Sequence, residues 1–220
     1  MTTYSTIGMA ERSDANWRWG GYCGLGNVGP LIGALRTKTA IICGNAKGVF
    51  EELQALRDIY DYGDISVFAV NDVGMYLPRV DHWVSLHWAN IYAWREVRWL
   101  LNRGVEDIRY HSVKQDDEKI IDYLWEELTP VFALSGYFAM QIAYIMGADK
   151  IILCGCPGEP APRFFEAQPR SDFGYGMGLG SADTGIFSQL VGEMTRVPDF
   201  KSKVRSMSGW TKSYFGGGLD

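Results

Sequence analysis

The chain has 220 residues, 47% hydrophobic and 21% charged, with 21 basic against 26 acidic side chains and a net charge of −5. That balance predicts a real core in one large domain, and it argues against a nucleic-acid surface, which carries a basic excess. No apolar run approaches the roughly 20 residues of a membrane span, and four cysteines in so long a chain do not make a disulfide framework, so a cytoplasmic protein with free thiols is expected.

The opening MTTYSTIGMAERSD lacks a basic region followed by an apolar stretch, which argues against a signal peptide. Residues 1–37 read as a glycine- and aromatic-rich arm. Gly24, Gly26 and Gly29 form a G-x-G-x-x-G, but no buried strand precedes them and Asn45 stands where an acid is required. An arm packed over the sheet, or over a neighbouring subunit, fits better than a dinucleotide fingerprint. The high aromatic content, 14%, points to a ligand groove or an oligomer interface.

Thr39 to Gly44 is the first unbroken apolar run of strand type, followed by a glycine turn and a helix over Val49 to Tyr60 with apolar residues at helical spacing. This is the first half of a βαβ unit. Ile65 to Val70 is the second strand, ending at Asn71-Asp72. His82 to Leu86 is the third, ending at His87, and Trp88 to Asn102 is an amphipathic helix. Asp107 to Tyr110 is a short fourth strand, at an edge, ending at His111. Residues 114–129 are charged and read as a surface helix. Ser135 is placed as the N-cap of a helix that is apolar nearly all round from Tyr137 to Met146, with Gly147 just past its end. Lys150 to Cys154 then reads as a strand buried on both faces of a parallel sheet, stopped by Gly155-Cys156-Pro157.

From Glu159 to Gly180 the chain is rich in Pro, Gly and aromatics and carries Arg163 and Arg170, the composition of a lid loop. Ser181 to Arg196 reads as a helix, Lys203 to Met207 as a last strand, and Ser208-Gly209 as the start of a terminal helix. The expected architecture is therefore α/β: a Rossmann-like three-layer fold with a mainly parallel sheet and a long lid loop. It is expected to form a single domain over residues 1–220, with a nucleotide-binding core at 39–158 and the lid at 159–180.

In a parallel sheet the strand ends share one edge. Gly44, Asn45, Asn71, Asp72, His87, Gly155 and Pro157 are thereby gathered, and Ser135-Gly136 joins them from a helix N-terminus. Backbone N–H groups, amides and a carboxylate suit a phosphate-bearing small molecule such as a nucleotide, although glycines also occur at such places for turn geometry alone. His87 either takes a proton from an acceptor hydroxyl or caps the helix at Trp88. His82 reads as structural. Asp72 serves as the base if His87 does not, meets a metal on a diphosphate, or forms a turn. Arg163 and Arg170 either neutralise a leaving phosphate as the lid closes or lie at the surface. No metal site is expected: Cys154 and Cys156 near Cys43 lack a C-x-x-C pair and read as buried thiols.

The segments Ile41-Ile42-Cys43-Gly44-Asn45, Phe68-Ala69-Val70-Asn71-Asp72, Leu134 to Met140 and Lys150 to Gly155 resemble, in order and spacing, the bacterial lipooligosaccharide sialyltransferases. They are also similar to the archaeal-type 6-hydroxymethylpterin pyrophosphokinases, and short proteins of this look occur in phage genomes. The resemblance covers roughly residues 39–158. It implies a nucleotide-binding, glycosyltransferase-like transferase with a CMP- or UDP-sugar donor, in which Asn45, Asn71 and Ser135 contact the nucleotide. The alternatives it leaves are a pyrophosphokinase-like enzyme and a non-catalytic phage accessory or binding protein. The chain departs from the sialyltransferase pattern: Ala46-Lys47-Gly48 replaces Gly-Pro-Ser, and no histidine follows His111 where that family keeps its general base. It departs from the pyrophosphokinases in having His87, not an acid, after the third strand.

Overall fold

The computed structural model describes residues 11–13, 16–18, 28–61, 63–114, 119–125, 128, 135–159, 161–165, 192, 197 and 199–219. Glu11–Ser13 (β1) and Asn16–Arg18 (β2) pair as a small antiparallel ribbon. The main sheet is built from Thr39–Cys43 (β3), Ile65–Val70 (β4), His82–Val84 (β5), Arg109–Ser112 (β6), Tyr123–Leu124 (β7), Lys150–Cys154 (β8) and Val204–Ser206 (β9). Its order is β7-β6-β5-β4-β3-β8-β9, and every pairing is parallel.

The central strands are apolar at successive positions because both faces are covered. One face carries Ala40, Ile42, Phe68, Val70, Val84, Ile151 and Leu153 against the helix Ser135–Ile145 (α3). The other carries Ile41, Cys43, Val67, Ala69, Trp83 and Ile152 against Val49–Arg57 (α1) and Trp88–Leu100 (α2). The short helix Phe200–Lys203 (α4) and the terminal helix Gly209–Phe215 (α5) put Phe200 and Phe215 into the α3 layer. The fold is thus a three-layer α/β sandwich around one parallel sheet. α3 has eight buried residues and no charged one, which is why its sequence shows no polar face.

Several details differ from the sequence expectation. Residues 114–129 were expected as a surface helix, but Tyr123–Leu124 forms a strand outside β6. A two-residue strand is shorter than any periodicity can reveal. Its addition takes β6 away from the edge, so His111 is an interior residue and not the end of an edge strand. A 3₁₀ turn at Asn71–Met75 directly after β4 was not anticipated. Gly74 lets that turn approach β5, since a Cβ there would lie 2.2 Å from the Trp83 ring. The expected helix over Ser181 to Arg196 and most of the lid lie outside the described residues. At the solvent end of α2, Trp99, Leu100 and Leu101 are exposed. Among the described residues no helix is long and apolar enough to cross a membrane.

The chain runs outward from β3 to β7, then returns through α3 to place β8 on the other side of β3. The direction of strand succession therefore reverses between β3 and β8. In open parallel sheets the crevice outside such a switch point, at the carboxyl ends of the strands, is where ligands bind.

Candidate functional site at the switch point

The turns after β3 and β8 are stitched to one another. Gly44 N–H donates to Cys154 O at 2.8 Å and Ala46 N–H to Gly155 O at 3.1 Å. Gly44 must be glycine because a Cβ would lie 2.4 Å from Gly155 O and 2.6 Å from Cys156 Sγ. The Gly155 N–H donates to Glu52 Oε2 of α1 at 2.7 Å. Gly155 therefore supplies close packing at this edge, and its N–H is already held by a carboxylate. Pro157 is buried one step farther on, where its carbonyl accepts Thr211 N–H from α5 at 3.0 Å.

The segment after β8 doubles back along the β3 turn. Lys47 N–H donates to Pro162 O at 2.8 Å, Phe164 N–H donates to Asn45 O at 2.9 Å, and Ala46 bridges Arg163 in antiparallel sense. Phe164 locks the segment down by edge contacts with Phe50 and Tyr76. The result delivers Arg163 to Asp72, with Nη1 3.7 Å from Oδ2. Asn45 Nδ2 donates to the other oxygen, Oδ1, at 3.0 Å. Three residues from three separate loops thus meet in one polar cluster.

The neighbouring Asn71 has a left-handed backbone, with φ of 56°, a conformation asparagine tolerates. Trp83 Nε1–H donates to its carbonyl at 2.7 Å, and Ser85 Oγ donates to its side-chain Oδ1 at 2.8 Å. Ser85 Oγ accepts the His87 N–H at 2.9 Å, and Ser135 Oγ accepts the Leu86 N–H at 3.2 Å. Ser135 was expected to cap α3. It is the first described residue of that helix, and its hydroxyl accepts the Leu86 N–H, which ties α3 to the loop after β5. Gly136 follows with open space where a Cβ would be.

His87 is exposed at the start of α2 and makes no side-chain capping bond there. The other two histidines lie in the core. His82 and His111 are fully buried, with His82 Nδ1 2.8 Å from His111 Nε2 and Trp125 Nε1 donating to His111 Nδ1 at 3.1 Å. Indole can only donate, so His111 carries its proton on Nε2 and donates it in a hydrogen bond to His82 Nδ1. Among the described residues His82 Nε2–H is buried without a partner. Burial, with Arg109 adding to it, pushes the His82 pKa down to about 3. Burial first, then His82 and Arg109, pushes His111 well below its ordinary value. Both imidazoles are neutral core groups.

Asn45, Asp72 and Arg163 therefore form one polar cluster, and Asn71 and Ser135 are each tied to the loop after β5, through Ser85 and Leu86 N–H respectively. Arg170 lies outside the described residues. Glu52, Trp83 and Ser85 were not singled out in the sequence. Ser85 had a signal, a small hydroxyl within the apolar run Trp83-Val84-Ser85-Leu86; Glu52 had none. Cys43, Cys154 and Cys156 are buried thiols beneath the turns. The Cys43 side chain and burial push Cys154 up, and burial does the same to Cys156. Among the described residues no three His, Cys, Asp or Glu side chains cluster as a metal site would require.

No family model and no curated protein sequence matches the chain. Among solved structures it is similar to the sialyltransferase CstII from Campylobacter jejuni. The form in complex with the substrate analogue CMP-3FNeuAc is 14% identical, with a TM-score of 0.49 over 82% of this chain and 86% of that one. The form with cytidine-5'-monophosphate is 13% identical, with a TM-score of 0.46 over 82% and 84%. Likeness at this level says nothing of ligand or activity.

Proposed function

We propose that the chain is a nucleotide-binding transferase of glycosyltransferase type that takes a CMP- or UDP-sugar donor. The observation that supports it is the convergence of Asn45, Asp72 and Arg163 with the clamped Asn71 and the start of α3, at the crevice where strand order reverses. Amide donors, a guanidinium and a helix N-terminus are together suited to a phosphate-bearing ligand. In this reading the whole chain serves one domain, with residues 159–180 as its lid. Asn45, Asn71 and Ser135-Gly136 hold the nucleotide, with Gly44, Gly155 and Pro157 shaping the edge. Asp72 accepts from Asn45 and orients Arg163, an engagement that leaves it poorly placed as a proton acceptor. His87, exposed and with no ring hydrogen bond among the described residues, takes the acceptor hydroxyl proton as the new glycosidic bond forms. The bond from sugar to nucleotide phosphate breaks, and Arg163, joined by Arg170 when the lid closes, meets the charge left on the phosphate.

Thermal shift and calorimetry with CMP, UDP and ATP–magnesium test this reading. CMP or UDP should raise the melting temperature, and Arg163→Ala should weaken that nucleotide about tenfold, the scale of one charge-assisted hydrogen bond. A preference for ATP–magnesium would move the reading to pyrophosphoryl transfer. No response to any nucleotide at millimolar concentration would sink it.

A further inference from the structure

We propose that Ser85 is a positioning residue that holds Asn71 with Nδ2, rather than Oδ1, toward the crevice, so that the ligand group met there is an oxygen acceptor such as a phosphate, carboxylate or sugar oxygen. The ligand half of this inference rests on the nucleotide reading above; the orientation half concerns the free protein.

Ser85 is fully buried. Its hydroxyl has one proton and two neighbours. The His87 N–H, 2.9 Å away, can only donate, so it occupies the oxygen as acceptor. The proton therefore goes to Asn71, 2.8 Å away, and the atom facing it is the carbonyl oxygen. The reverse orientation of the amide would set an NH₂ group against the hydroxyl and leave the serine proton buried without an acceptor, a costly arrangement. Ser85 is itself pinned. Its N–H donates to His111 O at 3.1 Å, and its carbonyl accepts Ser112 Oγ at 2.7 Å, so β6 fixes the group that fixes Asn71. The Asn71 main chain is held independently by Trp83 Nε1. With carbonyl and main chain both engaged, the half-buried side chain has Nδ2 left, which has no partner among the described residues. The adjoining Leu86 N–H, bonded to Ser135 Oγ, sets the start of α3 from the same three-residue segment.

The test combines a ligand-free readout with a binding cycle. In nitrogen-15 NMR of the free protein, Ser85→Ala should speed exchange of the His87 amide and let the Asn71 carboxamide reorient. In calorimetry with CMP, or UDP if it binds tighter, Asn71→Ala should weaken binding about tenfold and Ser85→Ala by somewhat less. The double variant should be no worse than Asn71→Ala, because Ser85 acts through Asn71. Asn71→Asp turns an anionic acceptor to the crevice and should bind about tenfold more weakly than Asn71→Ala. Additive losses, or an Asp variant that binds as well as the Ala variant, would overturn the inference. If the wild type binds neither nucleotide, the functional reading fails, while unchanged His87 exchange in Ser85→Ala would separately overturn the clamp. Should Ser85→Ala not fold, the Asp-against-Ala comparison at Asn71 decides.

Discussion

The sheet holds polar side chains in two places that work in opposite ways. At the switch point, Asn45, Asn71, Asp72, Arg163 and His87 sit half-buried or exposed, joined by bonds that run between loops. In the core under α3, His82 and His111 are sealed between Phe68 and Tyr123, each stacked on an aromatic ring. The first group lies at the edge of the sheet, with the His87 ring exposed. The second uses its hydrogen bonds internally and, among the described residues, leaves one buried N–H without a partner. The residue type is the same; the strand position sets whether an imidazole meets solvent or core.

The largest expected effect lies at the open edge. A general base contributes about 10²–10⁴-fold to a transfer rate. If His87 is the base of the proposed transfer, His87→Gln keeps hydrogen bonding but cannot fill that role, so turnover of the nucleotide sugar should fall by a factor in that range. Nucleotide affinity should be unaltered, because the His87 bond to Ser85 is made by its backbone. Unchanged turnover in steady-state assays would erase the functional side of the contrast.

The next effect belongs to the buried pair. A histidine whose folded pKa is lowered binds its proton in the unfolded chain first, so its contribution is intact above the unfolded value of 6.5 and is lost as pH falls toward the folded value. His82 goes from 6.5 to about 3. By linkage this removes about 3 kcal/mol of stability at pH 4.5, and His111 adds in the same direction. Urea unfolding at pH 7 and pH 4.5 reads this directly, and His82→Phe should flatten the acid limb. A protein equally stable at both values would mean that the pair is hydrated and not sealed.

The smallest effect concerns the floor beneath the open edge. Gly44→Ala drives a methyl against Gly155 O and Cys156 Sγ, and overpacking of this kind costs about 1–3 kcal/mol. The midpoint of denaturant unfolding should drop accordingly. No change would show that the β3 and β8 turns can separate, so that the edge is less preorganised than its hydrogen bonds imply.

The buried strands β3, β4 and β8 and the helix α3 were legible in the chain because full burial writes continuous apolar runs, and the residues ending those strands were legible as edge groups because parallel strands end together. That much follows from local composition and needs no partner. Strand order, the two-residue β7 that encloses His111, the Glu52 carboxylate on Gly155, the Asp72–Arg163 pair and the Ser85 clamp on Asn71 did not follow. Each joins groups far apart in sequence, and which loops meet is decided by how the sheet is ordered. A hydroxyl or a carboxylate reads the same in any sequence; the partner that fixes its proton is supplied only when the strands are laid side by side.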